Sequence, residues 1–195
     1  MKKIYQVFLM TVMALCLAVP VFSTTAEAAS IVILPLIDKS ECEGATETFY
    51  DNAVDCIKDQ TKYEMLDNEA VNAAIDKFTV KGTLPDEQAL KEIAMAVNAD
   101  IVMCVQLDTL TKERDFWSKT EELDRVSIFG TSVSYDVETG EFKKQKIYFD
   151  EKVDSVPYVR QNMLLRIWSR EVRHEMNRVM KVRGMKMQKQ RISKF

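Results

Sequence analysis

Residues 30–37 read Ser-Ile-Val-Ile-Leu-Pro-Leu-Ile, a nearly continuous apolar run that is rich in β-branched side chains. Short runs of this kind are typical of strands covered on both faces. A second run of the same type occupies residues 101–107. Helical patterns separate the two runs. We therefore expect strand–helix–strand units, whose strands run parallel and whose crossovers are right-handed.

The segments between the two runs predict three helices and a short strand. A helix reaching about Gln60 follows the capping-box pair Ser40 and Glu43, and residues 62–66 read as a strand. Apolar side chains then recur at helical spacing in residues 71–78 and again in residues 90–97. The later of these helices opens with Pro85 and Asp86 and ends at Asn98, residue types that favour helix starts and stops.

A hairpin is predicted after the second apolar run. Residues 111–124 read as a charged connection, and residues 125–137 then alternate in polarity. The phase of the alternation changes at Gly130, which predicts a bulge. Turn chemistry at residues 138–141 leads to a partner strand at residues 143–149.

The last apolar stripe, over residues 163–180, predicts a helix that Asp154 or Ser155 can cap and that Gly184 ends. The order β-α-β-α-α-β-β-β-α predicts an α/β fold, a single domain with a mixed sheet and helices packed on it. We expect this domain to span residues 29–184 and the basic tail, residues 185–195, to fray.

Residues 1–28 have the features of an export signal. A basic start precedes an apolar run at residues 7–22, and a small-x-small pattern ends at Ala28, where we expect cleavage. An uncleaved membrane anchor is the alternative, but the run is short for spanning and Pro20 interrupts it. A leucine precedes Cys16, which excludes lipidation there. We expect a periplasmic or extracellular protein with no transmembrane segment in the mature chain.

Three cysteines remain after cleavage: Cys42, Cys56 and Cys104. An odd number leaves at least one thiol unpaired. A bridge between Cys42 and Cys56 needs a bend, because 14 helical steps would separate them by about 21 Å. The pattern leaves open whether any disulfide forms.

Three segments together resemble a known group of envelope domains. Residues 31–36 (IVILPL), 97–102 (VNADIV) and 134–141 (SYDVETGE) are similar, in order, to an opening V-x-V-L-P-F strand, a helix-to-strand L-G-A-D-Y-V and an x-x-D-x-x-T-G-E hairpin. These belong to the α/β domain of the TolB amino-terminal part, the soluble part of CsgG, and LpoB. The resemblance implies binding to envelope proteins without catalysis. The chain departs from the secretion channel because its hairpin is too polar to form membrane-barrel strands.

Charge is divided sharply along the chain. Residues 30–157 hold 14 Lys and Arg against 27 Asp and Glu, whereas residues 158–195 hold 11 against 2. One interpretation is self-complementarity, with the basic helix lying on an acidic body; the other is a basic surface for acidic partners or anionic lipid. The candidate interaction residues are Arg160, Arg166, Arg170, Arg173, Arg178, Lys181, Arg183 and Lys186.

The sequence offers no catalytic, cofactor-binding or metal-binding set. His174 is the only histidine and is expected to be solvated, and Asp136, Glu138 and Glu141 read as turn chemistry rather than a cation site. Export and the lack of a basic, aromatic-interleaved motif argue against nucleic acid. We expect a non-enzymatic, exported interaction domain that binds envelope proteins or copies of itself through the sheet edge, the 111–124 connection or the last helix. The alternative is a peripheral binder of an anionic lipid or polymer surface.

Overall fold

The computed structural model describes residues 28–66, 68–78, 82–115, 123–154 and 163–192, with side chains of the last helix described up to Met180. The predicted signal segment therefore lies outside the described residues, apart from Ala28. The strands are β1 Ala29–Ile33, β2 Ile37–Asp38, β3 Tyr63–Met65, β4 Ile101–Asp115, β5 Leu123–Asp136 and β6 Glu141–Asp154. The helices are α1 Ala45–Lys58, α2 Asn68–Phe78, α3 Glu87–Val97 and α4 Met163–Ile192.

The strands form one mixed sheet in the order β3-β1-β4-β5-β6, with β2 pairing on β4. The short strands run parallel to one another and to β4, and β4, β5 and β6 form an antiparallel meander. This confirms the predicted α/β fold. The run at residues 30–37 makes two strands rather than one, because Pro35 between them has no N–H to give to a ladder.

Ser30 and Asp100 fasten the first strand to β4. The Asp100 carboxylate accepts hydrogen bonds from the Ser30 backbone N–H at 2.8 Å and from its hydroxyl at 2.9 Å. Asn98, just before, ends α3 in the left-handed conformation, and Asp86 caps its start by accepting from the Ala89 N–H at 2.9 Å. The predicted bounds of α3 are confirmed, and the VNADIV segment acts as a folding device.

Helices cover both faces of the sheet. We call the side that carries α1 and α4 the α4 face, and the opposite side the α3 face. The largest buried side chain on the α4 face is Trp168, which stacks on Phe49 with ring centroids 6.4 Å apart and donates from Nε1 to the Ala45 carbonyl at 3.0 Å. On the α3 face the core is smaller. Its buried members include Val32, Leu34, Leu90, Ile93, Val102, Cys104, Val133 and Tyr135.

The predicted capping box at the start of α1 was wrong. The helix begins at Ala45, after Gly44 in the left-handed conformation (φ 82°), and no side chain caps it. The Ser40 hydroxyl instead donates to Asp38 Oδ1 at 2.7 Å and accepts from the Cys42 N–H at 3.3 Å. Ser40 is therefore used in the turn that follows β2.

The β4–β5 hairpin is longer than the sequence predicted. Thr111–Asp115 and Leu123–Asp124 belong to the paired strands rather than to a charged connection, while residues 116–122 lie outside the described residues. The strands are irregular between Leu107 and Thr109, opposite Gly130. The bulge predicted at Gly130 thus falls on the partner strand, and a Cβ at Gly130 would lie 2.6 Å from the Gln106 carbonyl oxygen.

The last helix runs past its predicted end. It continues through Gly184 to Ile192, so the predicted stop at Gly184 was wrong. Asp154, one of the two predicted caps, lies in β6 instead, and the described helix begins at Met163. A glycine inside a helix costs only about 1 kcal/mol, and residues 185–192 are mostly strong helix formers. None of the described helices combines the length and apolar character needed to cross a bilayer.

Candidate interaction surface

The two faces of the sheet are covered to different lengths. On the α4 face, the buried core extends along the meander to Leu110, Val126 and Phe149. On the α3 face, the core members that the structure describes on the meander extend no further than Cys104, Val133 and the partly buried Phe142. The outer half of the meander therefore has one buried face and one face whose side chains reach solvent.

An aromatic pair lies on this solvent-facing half. Phe129 and Tyr148 are directly opposite across β5 and β6, with ring centroids 5.2 Å apart, and Tyr148 is 67% exposed. Lys144 and Lys146 are exposed and share the face of Tyr148, because alternate residues of a strand point the same way. We call these residues and Thr131, which pairs with Lys146, the open face.

Charged and hydroxyl groups order the outer end of the open face. Arg125 donates two hydrogen bonds to Asp150, from Nε to Oδ1 at 2.8 Å and from Nη2 to Oδ2 at 2.6 Å. The Ser127 hydroxyl donates to Asp150 Oδ1 at 2.9 Å. The hydrogen bonds from Arg125, and to a smaller extent the one from Ser127, lower the pKa of Asp150 to about 2. The carboxylate is thus held ionised and in one place between two strands.

The strand β6 forms one edge of the sheet. It is 14 residues long, and no described strand lies beyond it. Its first half carries Lys143, Lys144 and Lys146 together with Glu141, whereas its second half carries Asp150, Glu151 and Asp154 together with Lys152. Lysines on an edge strand discourage unspecific pairing, because they must be desolvated when another strand approaches. The uneven distribution makes this edge selective for the charges of an incoming strand.

Three of the eight predicted basic residues have partners inside the molecule. Arg173 donates to Asn52 Oδ1 at 2.8 Å and lies 3.5 Å from Asp55, both on α1. The Arg170 guanidinium lies 5.0 Å from the Phe149 ring centroid, and Arg178 pairs with the buried Glu175. The Arg173–Asp55 contact is of the kind that the self-complementary interpretation expects, whereas Arg178–Glu175 lies within α4 itself.

The other predicted basic positions are placed only in part. Arg166 is exposed on α4. Lys181, Arg183 and Lys186 lie on its helical backbone, and Arg160 lies outside the described residues. The structure therefore does not gather all eight predicted residues into one surface among the residues it describes.

The three cysteines that the structure describes are free thiols. Cys42, Cys56 and Cys104 form no disulfide, and burial raises the pKa of each, that of Cys104 to about 12. A thiol with a raised pKa is a poor nucleophile near neutral pH, because the thiolate is the reactive form.

Polar groups elsewhere serve the fold. Asp136 Oδ1 accepts from the Thr139 N–H at 3.1 Å, which is turn chemistry as predicted, and His174 is exposed. Within the described part of the chain, no group of three or more His, Cys, Asp or Glu could hold a metal ion. A depression between Val179 and the β5–β6 hairpin holds about 20 Å³, room for about one water.

The sequence analysis did not predict the open face. The structure places Asp136 opposite Glu141, and the same register places Phe129 opposite Tyr148. The predicted turn at residues 138–141 would instead leave Val137 opposite Phe142 and shift the register by two residues, so the aromatic pair could not be read from it. The end of the α3-face core could not be predicted either, because it depends on where α3 packs.

No protein-family model matches the chain, and no curated protein matches it. Among solved structures, lipoprotein GNA1162 from Neisseria meningitidis is 12% identical, with 76% of this chain and 99% of that chain covered and a TM-score of 0.45. The hypothetical protein CT253 from Chlamydia trachomatis is 11% identical, over 80% and 96% of the two chains, with a TM-score of 0.47.

The LpoB C-terminal domain from Salmonella enterica is 11% identical, over 66% of this chain and 84% of that chain, with a TM-score of 0.42. LpoB is one of the three proteins that the sequence motifs resemble. At these identities and TM-scores, none of the similarities carries a function to this chain.

Proposed function

We propose that this chain is a non-enzymatic, exported interaction module of the cell envelope that binds other envelope proteins through the outer half of its β4–β6 meander. The amino-terminal export features supply the compartment. The open face and the adjoining β6 edge supply the contact surface. A strand or loop of the partner would meet main-chain groups at the edge and the Phe129–Tyr148 pair beside it.

One observation carries the proposal: the α3-face core stops short while the strands continue. One more helix or strand would cover the outer half of the meander on this face. Tyr148 is nevertheless 67% exposed, beside the exposed Lys144 and Lys146. Aromatic side chains that combine a large apolar area with a polar tip are common anchors at protein interfaces. The other face of the same strands is buried, so the surface is rigid before a partner binds.

Site-specific photo-crosslinking in cells tests the proposal. A photoreactive amino acid replaces Tyr148 in the full chain, and the control places it at Met95, which is 66% exposed on α3. We expect a discrete crosslinked species in the envelope fraction from position 148, none from position 95, and a mature amino terminus at Ala29. Equal labelling from both positions, or retention of the unprocessed chain in the cytoplasm, contradicts the proposal.

A second candidate function is peripheral binding to an anionic envelope surface through α4. Arg166, Arg170 and Arg173 have helical spacing i, i+4 and i+7, and all three are exposed. The helix also continues through Lys181, Arg183 and Lys186. A basic helical stripe of this kind is attracted to anionic headgroups.

A further inference from the structure

The β6 edge has a charge pattern that is complementary to itself. Lys143 and Lys144 precede its centre, and Asp150 and Glu151 follow it. When two copies of such a strand pair antiparallel, the first half of each lies against the second half of the other. A parallel arrangement would instead align lysine with lysine and acid with acid.

The geometry of a sheet limits the possible registers. In an antiparallel pair, side chains that lie directly opposite each other are on the same face of the sheet. A two-fold axis between two β6 strands therefore passes between one residue and the same residue of the second copy. Centred on Ile147, this axis places Lys144 opposite Asp150 on the open face. On the α4 face it places Lys143 opposite Glu151, and symmetry forms each pairing twice.

Neighbouring registers are unfavourable. Moving the axis to residue 146 sets Lys146 against its own copy, and moving it to residue 148 sets Lys144 against Lys152. Like charges directly opposite in a sheet are destabilising. The Ile147 register avoids such pairs from residue 141 to residue 153, and it also places Lys146 of one copy beside the exposed Tyr148 ring of the other.

We propose that two copies of this chain pair antiparallel along β6, about a two-fold axis at Ile147, and so continue one sheet across the dimer. Pairing satisfies the outward main-chain groups of a 14-residue edge. It also joins the open faces of both copies into one larger surface. This inference rests on the proposed function and names a second copy as the partner at the edge.

The test measures the mass of the full chain by sedimentation equilibrium. We expect a dimer, and we expect Glu151→Lys to weaken it about tenfold or more, because it sets lysine opposite lysine twice. Adding Lys143→Glu should restore the dimer by exchanging the two charges. Glu138→Lys, the same charge change in the β5–β6 turn, is the control and should leave the dimer intact.

Cysteine pairs report the register directly. In a chain carrying Cys42→Ser, the double variant Lys146→Cys/Tyr148→Cys should form a disulfide-linked dimer under mild oxidation, because the two positions face each other across the axis. Lys144→Cys/Tyr148→Cys, which does not match this register, should remain largely unlinked. Circular dichroism checks that each variant is folded.

A monomeric chain at all concentrations overturns the inference, and so does a dimer that Glu151→Lys does not weaken. A monomer that still crosslinks to a different protein from position 148 would remove self-pairing while leaving the interaction function in place. A monomer without any crosslink from that position would remove both.

Discussion

Arg125 and Asp150 join β5 to β6 through two hydrogen bonds, of 2.8 Å and 2.6 Å, at the outer end of the hairpin. The two residues are diagonal neighbours, since Arg125 lies opposite Lys152 and Asp150 lies opposite Ser127. The guanidinium therefore reaches across the strands on the open face. This pair fixes the outer end of the hairpin where the α3-face core no longer contributes.

The Arg125–Asp150 pair makes stability depend on pH at the acidic end. The pKa of Asp150 is lowered from 3.8 to about 2, so its contribution to stability is complete above the ordinary pKa and is lost as the pH falls through about 2. We expect Asp150→Asn to reduce the fall in Tm between about pH 4 and about pH 2. Thermal unfolding at a series of pH values measures this, with Asp51→Asn on α1 as the control. Equal acid sensitivity of wild type and Asp150→Asn would contradict the prediction.

Gly130 is needed for close strand packing. A methyl group there would lie 2.6 Å from the carbonyl oxygen of Gln106, which precedes the irregular stretch of β4. We expect Gly130→Ala to lower the free energy of unfolding by about 1–3 kcal/mol, the range for overpacked interiors. Urea unfolding provides the measurement, and Thr131→Ala on the same strand should have a smaller effect. An unchanged midpoint for Gly130→Ala would show that β4 moves away without cost.

Trp168 ties α4 to α1 through both its ring and its N–H. Trp168→Phe keeps most of the buried ring but leaves the Ala45 carbonyl without this donor, so we expect a loss of about 1–3 kcal/mol. Trp168→Ala also removes the contact with Phe49 and should cost more, about 3–5 kcal/mol. Chemical unfolding followed by circular dichroism measures both. Equal effects of the two variants would assign the whole contribution to the hydrogen bond.

Vesicle binding separates the two candidate functions. If α4 binds anionic surfaces, cosedimentation of the full chain with anionic vesicles should fall steeply as ionic strength rises. Arg166→Ala/Arg170→Ala should then weaken binding about tenfold or more, since each basic residue near such a surface contributes about 1 kcal/mol. Lys144→Ala/Lys146→Ala, two exposed residues on the opposite face of the sheet, serves as the charge-matched control. Absence of binding to these vesicles removes the second candidate.

The sequence predicted the elements better than it predicted which helix covers them. In β5, Val126 and Ile128 face α4, whereas Val133 and Tyr135 face α3, so the phase of the apolar pattern changes at Gly130. A change of phase reads as a bulge when only one strand is considered. In β5 the change of phase marks the point where the buried side chains switch from the α4 face to the α3 face. This switch depends on the packing of helices that are distant in the sequence.

Local signals were misread in three places. Ser40 and Glu43 have capping-box spacing, but the Ser40 hydroxyl bonds with Asp38. Gly184 has the chemistry of a helix end, yet the helix continues beyond it. The charged residues 111–115 were read as a loop from their charge, although Ser127, Val126 and Arg125, the partners of residues 111–113, lie in the strand predicted over residues 125–137. The open face then went unseen, since it exists only once both hairpins have their full length.

The first described strand, β1, lies inside the sheet between β3 and β4. Ile31 pairs with Ile101 on one side and Met65 on the other, whereas the β4–β6 meander is built from neighbours in the chain. Loop-closure entropy makes such distant pairing slow compared with local hairpins. We expect the meander to form early and the insertion of β1 to limit the folding rate. Until then the apolar stretch Ile31–Leu34 is unprotected, which makes it the segment most in need of a chaperone.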